Sequence, residues 1–161
     1  MMVVAVGITS DEVRSLGSQA PALRKARVPG LNCLVVSGDK GLCGRLGTMS
    51  ELGGFTACET PADATELRSV IDGDYELVIV DIARPLGDRV NDTVEIAEEF
   101  AGRPGTLLVV CGSAESVDEE LWARQLGAWV YLPGVAGADA LMSLFAEARR
   151  VVERRGAWQY A

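Results

Sequence analysis

The stretch ELVIVDIARP, residues 76–85, decides how the rest of the chain is read. Leu77 to Val80 form an unbroken apolar run that ends on a carboxylate, Asp81, and Pro85 follows four positions later. A near-continuous apolar run of this length suits a strand buried on both faces of a parallel sheet. An acid at its tip can be a working group, a cap for the following loop, or a remnant of chemistry since lost.

Working outward, NCLVVS (32–37), FTACE (55–59), TLLVVCG (106–112) and WVYLP (129–133) read as further strands. Helical patterns lie between them. LCGRLGTMSEL (42–52) is weakened by its glycines. PADATELRSVID (61–72) places Pro61 in a first turn after Thr60 as cap, and NDTVEIAEEFAG (91–102) sets Val94, Ile96, Ala97 and Phe100 near one face. SVDEELWARQLG (116–127) starts at a Ser cap and ends at Gly127. GADALMSLFAEARRVVERR (137–155) puts Leu141, Leu144, Phe145, Ala148 and Val152 at helical spacing. Strands alternating with helices imply βαβ units. The expected architecture is an α/β, flavodoxin-like three-layer sandwich whose five-stranded parallel sheet has the order 2-1-3-4-5, plus an extra N-terminal β-α segment. Such sheets bind ligands beyond the carboxyl ends of their strands at the switch point. In this order that point lies between the first and third strands, where Asp81 sits.

The composition narrows the function classes. The 161 residues fit one domain, with 48% hydrophobic and 24% charged residues. A net charge of −8 argues against nucleic acid as a partner, since phosphates need a basic footprint. MMVVAVGITS (1–10) is too short to span a membrane and lacks a basic flank, so no membrane partner and a cytoplasmic location are expected. Cys33, Cys43, Cys58 and Cys111 form no CxxC pair, and the chain has no histidine. The cysteines read as small buried hydrophobes in a reducing compartment rather than zinc ligands. Without histidine, Ser-His-Asp and Cys-His schemes are absent in their usual form. An enzyme is not expected.

From about Leu31 to Arg155 the chain resembles the receiver domains of bacterial response regulators. YELVIVDIARP looks like the third strand with its phospho-accepting Asp and the Pro four positions on. ARQLGAWVYLPG and the amphipathic helix after it look like the fourth helix, fifth strand and fifth helix, and GGFTACETPADATEL like the segment around the second strand. The resemblance implies Asp81 as the acceptor position and Tyr131 as the aromatic switch position. It also implies two acids after the first strand to hold Mg²⁺, a hydroxyl at the end of the fourth strand and a Lys after the fifth. Here the acid pair falls on Ser37 and Gly38, with Asp39 one position late. The hydroxyl falls on Gly112 or Ser113, the Lys on Gly134 and the following Pro on Val135. The implied function is a stand-alone pseudo-receiver, a protein-interaction or dimerisation module in bacterial signal transduction that is not phosphorylated by the usual route and needs no cofactor. Asp81 would then cap the following loop or pair with a cation such as Lys40 or Arg84. One alternative is a genuine phospho-receiver with Mg²⁺ held by Asp39 and Asp81. Another is a small-anion or nucleotide binder using the glycine-rich SGDKGLCGRLG (37–47), with Gly38, Gly41 and Gly44 offering backbone amides.

The expected partner is another protein or a second copy in a homodimer. Trp122, Trp129 and Tyr131 are the candidate interface aromatics, although the two Trp could equally fill core space. Residues 1–30 are expected to form an extension, with a strand at 3–8 and a short helix within 10–26, acting as an edge strand or a dimer arm. Residues 31–155 form the receiver-like domain, and 156–161 a tail whose Trp158 and Tyr160 dock on the domain or on a second subunit.

Overall fold

A computed structural model of the chain describes residues 30–87, 90–134 and 137–159. The strand and short helix expected within residues 1–29 lie outside these, as do Val135, Tyr160 and the side chain of Trp158. The described elements are β1 (Asn32–Val36), α1 (Lys40–Leu52), β2 (Ala57–Glu59), α2 (Ala64–Val70), β3 (Leu77–Asp81), α3 (Val90–Ala101), β4 (Leu107–Gly112), α4 (Val117–Leu126), β5 (Val130–Pro133) and α5 (Ala138–Gln159). All five strands pair in parallel, in the order β2-β1-β3-β4-β5. This is the expected flavodoxin-like sheet.

The alternation of each strand divides the core in two. Val35, Ile79 and Val109 face one side, where Leu42 and Leu46 of α1 and Leu141 and Phe145 of α5 cover them. Leu34, Val78, Val80 and Val110 face the other, under Leu67 of α2 and Ile96 and Phe100 of α3. Each side chain fully buried this way contributes about 1.5–3 kcal/mol relative to exposure. Because β1, β3 and β4 are covered on both faces, their sequences are apolar throughout rather than alternating.

Local signals explain where the helices begin. Asp39 caps α1, accepting from the Leu42 N–H at 3.0 Å. The helix therefore starts two residues earlier than the sequence pattern implies, and Gly41 joins Gly44 and Gly47 as a helical residue. A Cβ on Gly44 or Gly47 would meet nothing within 4 Å, so close packing does not account for these two. Thr60 and Pro61 do not start α2. Asp63 does, accepting from the Thr65 and Glu66 N–H groups, while Glu66 reaches back to the Ala62 N–H at 2.7 Å. Ser116 caps α4 and Gly127 closes it in the left-handed region, as expected. Helix α5 runs 22 residues, so residues 156–159, expected as tail, continue it.

Candidate functional site

The site is built on the ends of β1 and β3 and the loops that leave them. Asp81 is wholly buried. Its Oδ2 accepts the Ser37 hydroxyl at 2.8 Å and pairs with Arg84 Nε at 3.3 Å. Its Oδ1 accepts the N–H groups of Ala83 and Arg84, both at 3.1 Å. A carboxylate has about four lone-pair positions, and four donors surround this one. The Arg84 guanidinium continues to Asp39, with Nη1 2.6 Å from Oδ2. One cation thus bridges the two acids that the sequence offered as metal ligands. The Leu42 N–H above all holds the Asp39 carboxyl below its ordinary pKa, against desolvation and with a smaller contribution from the Arg84 charge.

The same loops are tied through their backbones. The Gly38 N–H donates to the Arg84 carbonyl at 2.7 Å, and a Cβ on Gly38 would lie 2.5 Å from the Pro85 carbonyl oxygen. Only glycine lets the β1–α1 turn approach the β3–α3 loop this closely. The Ser37 hydroxyl accepts from the Asp39 N–H at 3.0 Å. The amides of residues 38, 39 and 42 are therefore directed at groups of the protein itself. Of the anion-binding candidates, only Gly38 stays in a turn, and its amide is engaged; Gly41 and Gly44 lie inside α1.

A second cluster closes the ends of β4 and β5. The Tyr131 hydroxyl lies 3.0 Å from the Ser113 carbonyl oxygen and 3.3 Å from Glu119 Oε2. Glu119 Oε2 also accepts the Ser113 N–H at 2.7 Å. Partial burial, followed by Glu119, pushes the Tyr131 pKa up to about 12. A Cβ on Gly112 would collide with the Tyr131 hydroxyl and lie 2.6 Å from Glu119 Oε2. The missing side chain at Gly112 thus makes room for the phenol. The Ser113 hydroxyl accepts from the Glu115 N–H at 3.3 Å, a turn contact. Gly134 has φ +73 and donates to the Gly112 carbonyl at 2.8 Å.

Comparison with solved structures settles what this architecture is. A receiver domain (CheY-like) from Methanospirillum hungatei JF-1 superposes with a TM-score of 0.64 at 20% identity, covering 78% of this chain and 98% of its own. An orphan response regulator of H. pylori gives 0.59 at 16%, with 76% and 96% covered. The response regulatory domain of mrkE from Klebsiella pneumoniae gives 0.60 at 12%, with 77% and 99% covered. The chain has the receiver fold. No protein-family model matches it, and no curated protein sequence does. At these identities the likeness is one of fold.

Seen as a receiver fold, the site departs from a magnesium centre. Mg²⁺ takes oxygen ligands in near-ideal octahedral geometry and usually keeps several waters. Here an arginine joins Asp39 and Asp81, while Ser37 and Gly38 add no acid. Among the described residues, no group of three or more His, Cys, Asp or Glu gathers to hold a metal. The residues present do not fit the ion in this arrangement.

The structure separates the candidate interface aromatics. Trp122 and Tyr131 pack against the core under α3, and Trp129 against the opposite core under α5. All three are half-buried. The residues missed from sequence are Glu119, which holds Tyr131, and Ser37 as a donor to Asp81. The D-x-x-R spacing of Asp81 and Arg84 was a readable signal for the ion pair; nothing in the sequence marked Glu119.

Proposed function

We propose that this receiver-fold chain is a pseudo-receiver, a cytoplasmic module that works by contact with another protein or a second copy of itself and is not phosphorylated at Asp81. The observation that carries the reading is the Arg84 guanidinium lying between Asp39 and Asp81, with both oxygens of Asp81 already accepting donors. An acceptor carboxylate needs an oxygen free to attack phosphorus and a metal to gather charge. Both requirements compete here with contacts that hold the fold. The glycine at the Lys position and the use of the Ser113 hydroxyl in a turn point the same way. For the contact surface, α4 offers Val117 and Leu121, one turn apart and 76% and 52% exposed.

The test is a thermal melt with and without Mg²⁺ and beryllofluoride, on wild type and Asp81→Asn in parallel. A ligand at about 100 times its Kd would add about 2.7 kcal/mol, a shift of several degrees. No shift is expected in either protein. A shift in wild type that Asp81→Asn abolishes would establish a working receiver instead. Sedimentation at several concentrations reads whether the chain pairs with itself.

A further inference from the structure

All four cysteines lie on one side of the sheet; Cys111 pairs in register with Asp81, whereas Cys33 and Cys58 stand together at the β1–β2 edge. Cys33 on β1 is fully buried; Cys58 on the edge strand β2 and Cys43 on α1 are half-buried against the same core. Cys33 and Cys58 are direct register partners across the β1–β2 pairing. Paired residues of neighbouring strands sit about 4.7–4.9 Å apart. That lies inside the roughly 4.4–6.8 Å Cα separation that a disulfide spans. Both side chains point to the same face, so forming the bond needs no strand slip. Cys43 is engaged differently, its thiol donating to the Ser37 carbonyl at 3.6 Å.

We propose that Cys33 and Cys58 form a redox-active dithiol, with Cys58 as the attacking sulfur and Cys33 as the resolving one. The division of labour follows from position. Cys58 lies on the outermost strand, within reach of a small reagent, whereas Cys33 is enclosed and can reach only its neighbour. The chemistry agrees. Cys33 and then Ser50 stand beside the Cys58 sulfur and bring its pKa down to about 7, against burial and the charges of Glu51 and Glu59. Cys33 is held protonated by the same contact and by burial. The oxidant class is a low-molecular-weight disulfide. The Cys58 thiolate attacks one of its sulfurs, the S–S bond breaks, and one thiolate leaves. Cys33 then gives its proton to solvent and attacks Cys58 Sγ, expelling the second thiolate. The protein loses two electrons and the small disulfide is reduced to two thiols. The new bond fastens edge strand β2 to β1 and encloses α1 with Ser37 and Asp39.

The experiment treats the full native chain with glutathione disulfide, quenches with acid, and alkylates remaining thiols in denaturant. Mass spectrometry then counts thiols and maps cross-linked peptides. Wild type should lose two of its four thiols and yield a Cys33–Cys58 peptide, reversible with dithiothreitol. Cys33→Ala should stop at a mixed disulfide on Cys58. Cys58→Ala should react roughly tenfold more slowly or not at all, and Cys43→Ala should behave as wild type. Circular dichroism confirms that each variant is folded. A cross-link through Cys43 or Cys111, a wild type that halts at the mixed disulfide, or a cross-link that forms only in denaturant would overturn the proposal.

Discussion

The ends of β3 and β5 lie on the same edge of the sheet and are finished in opposite ways. At β3 a wholly buried charge is held by a hydroxyl, two backbone amides and an arginine. At β5 a neutral phenol rests between one carbonyl and one carboxylate. The side-chain links of Asp81 and Asp39 to Ser37 and Arg84 across the two loops join residues 44 and 45 apart, whereas those of Tyr131 join residues 18 and 12 apart. Among the described residues, no side-chain hydrogen bond connects the two clusters. Here each is closed on itself, and the difference lies in what each supports: Asp81 ties distant parts of the chain, and Tyr131 fills a space left by Gly112.

Substitutions can break that contrast. Asp81→Ala carries the largest expected loss, about 2–4 kcal/mol, because it leaves the buried Ser37 hydroxyl and two loop amides without their acceptor. Urea unfolding would measure it, and a loss below about 1 kcal/mol would show that the acid is not holding the loops. Gly38→Ala follows at about 1–3 kcal/mol, since its Cβ meets a backbone carbonyl that cannot swing aside. Arg84→Ala should cost about 1–3 kcal/mol and leave two facing carboxylates. Added Mg²⁺ should then raise its melting temperature while leaving wild type unchanged. The smallest effect is expected at the phenol. The folded Tyr131 pKa of about 12 lies above the ordinary value, so its contribution is fully present below pH ~10 and is lost as pH rises toward the folded value. Gly112→Ala should push the ring outward and return its midpoint toward ~10 in a near-UV absorbance titration. An unchanged midpoint would mean that the glycine does not make room for the ring.

Much of this was legible along the chain, for physical reasons. β1, β3 and β4 are buried on both faces, so their composition alone marks them. Asp81 could be placed at the switch point because the βαβ pattern implies a parallel sheet and the flavodoxin-like order was expected for it. The start of α2 was misread from Thr60 and Pro61, although Asp63 and Glu66 stand in capping-box spacing, Asp63 taking the first-turn amides of Thr65 and Glu66 and Glu66 the Ala62 N–H before the cap. The glycines made α1 read as a weak helix because propensity is a local quantity, whereas the burial of Leu42 and Leu46 and the Asp39 cap that favour the helix depend on the fold. The site was harder still. Its acid was visible and Arg84 was one of two cations within reach, but the saturation of Asp81 depends on Ser37 arriving from another strand. The Glu119–Tyr131 contact crosses from α4 to β5, and no spacing rule announces it.

The reach of the Asp81 links also bears on the order of folding. Contacts between residues far apart in sequence require the intervening chain to be closed first. Ser37 and Asp81 meet only after β1 and β3 have paired with α1, β2 and α2 between them. Their hydrogen bond therefore requires the β1–β3 pairing, and if it forms after the folding transition state its loss should mainly quicken unfolding rather than slow folding. On that expectation the Asp81 carboxylate acts as a brake on the unfolding rate.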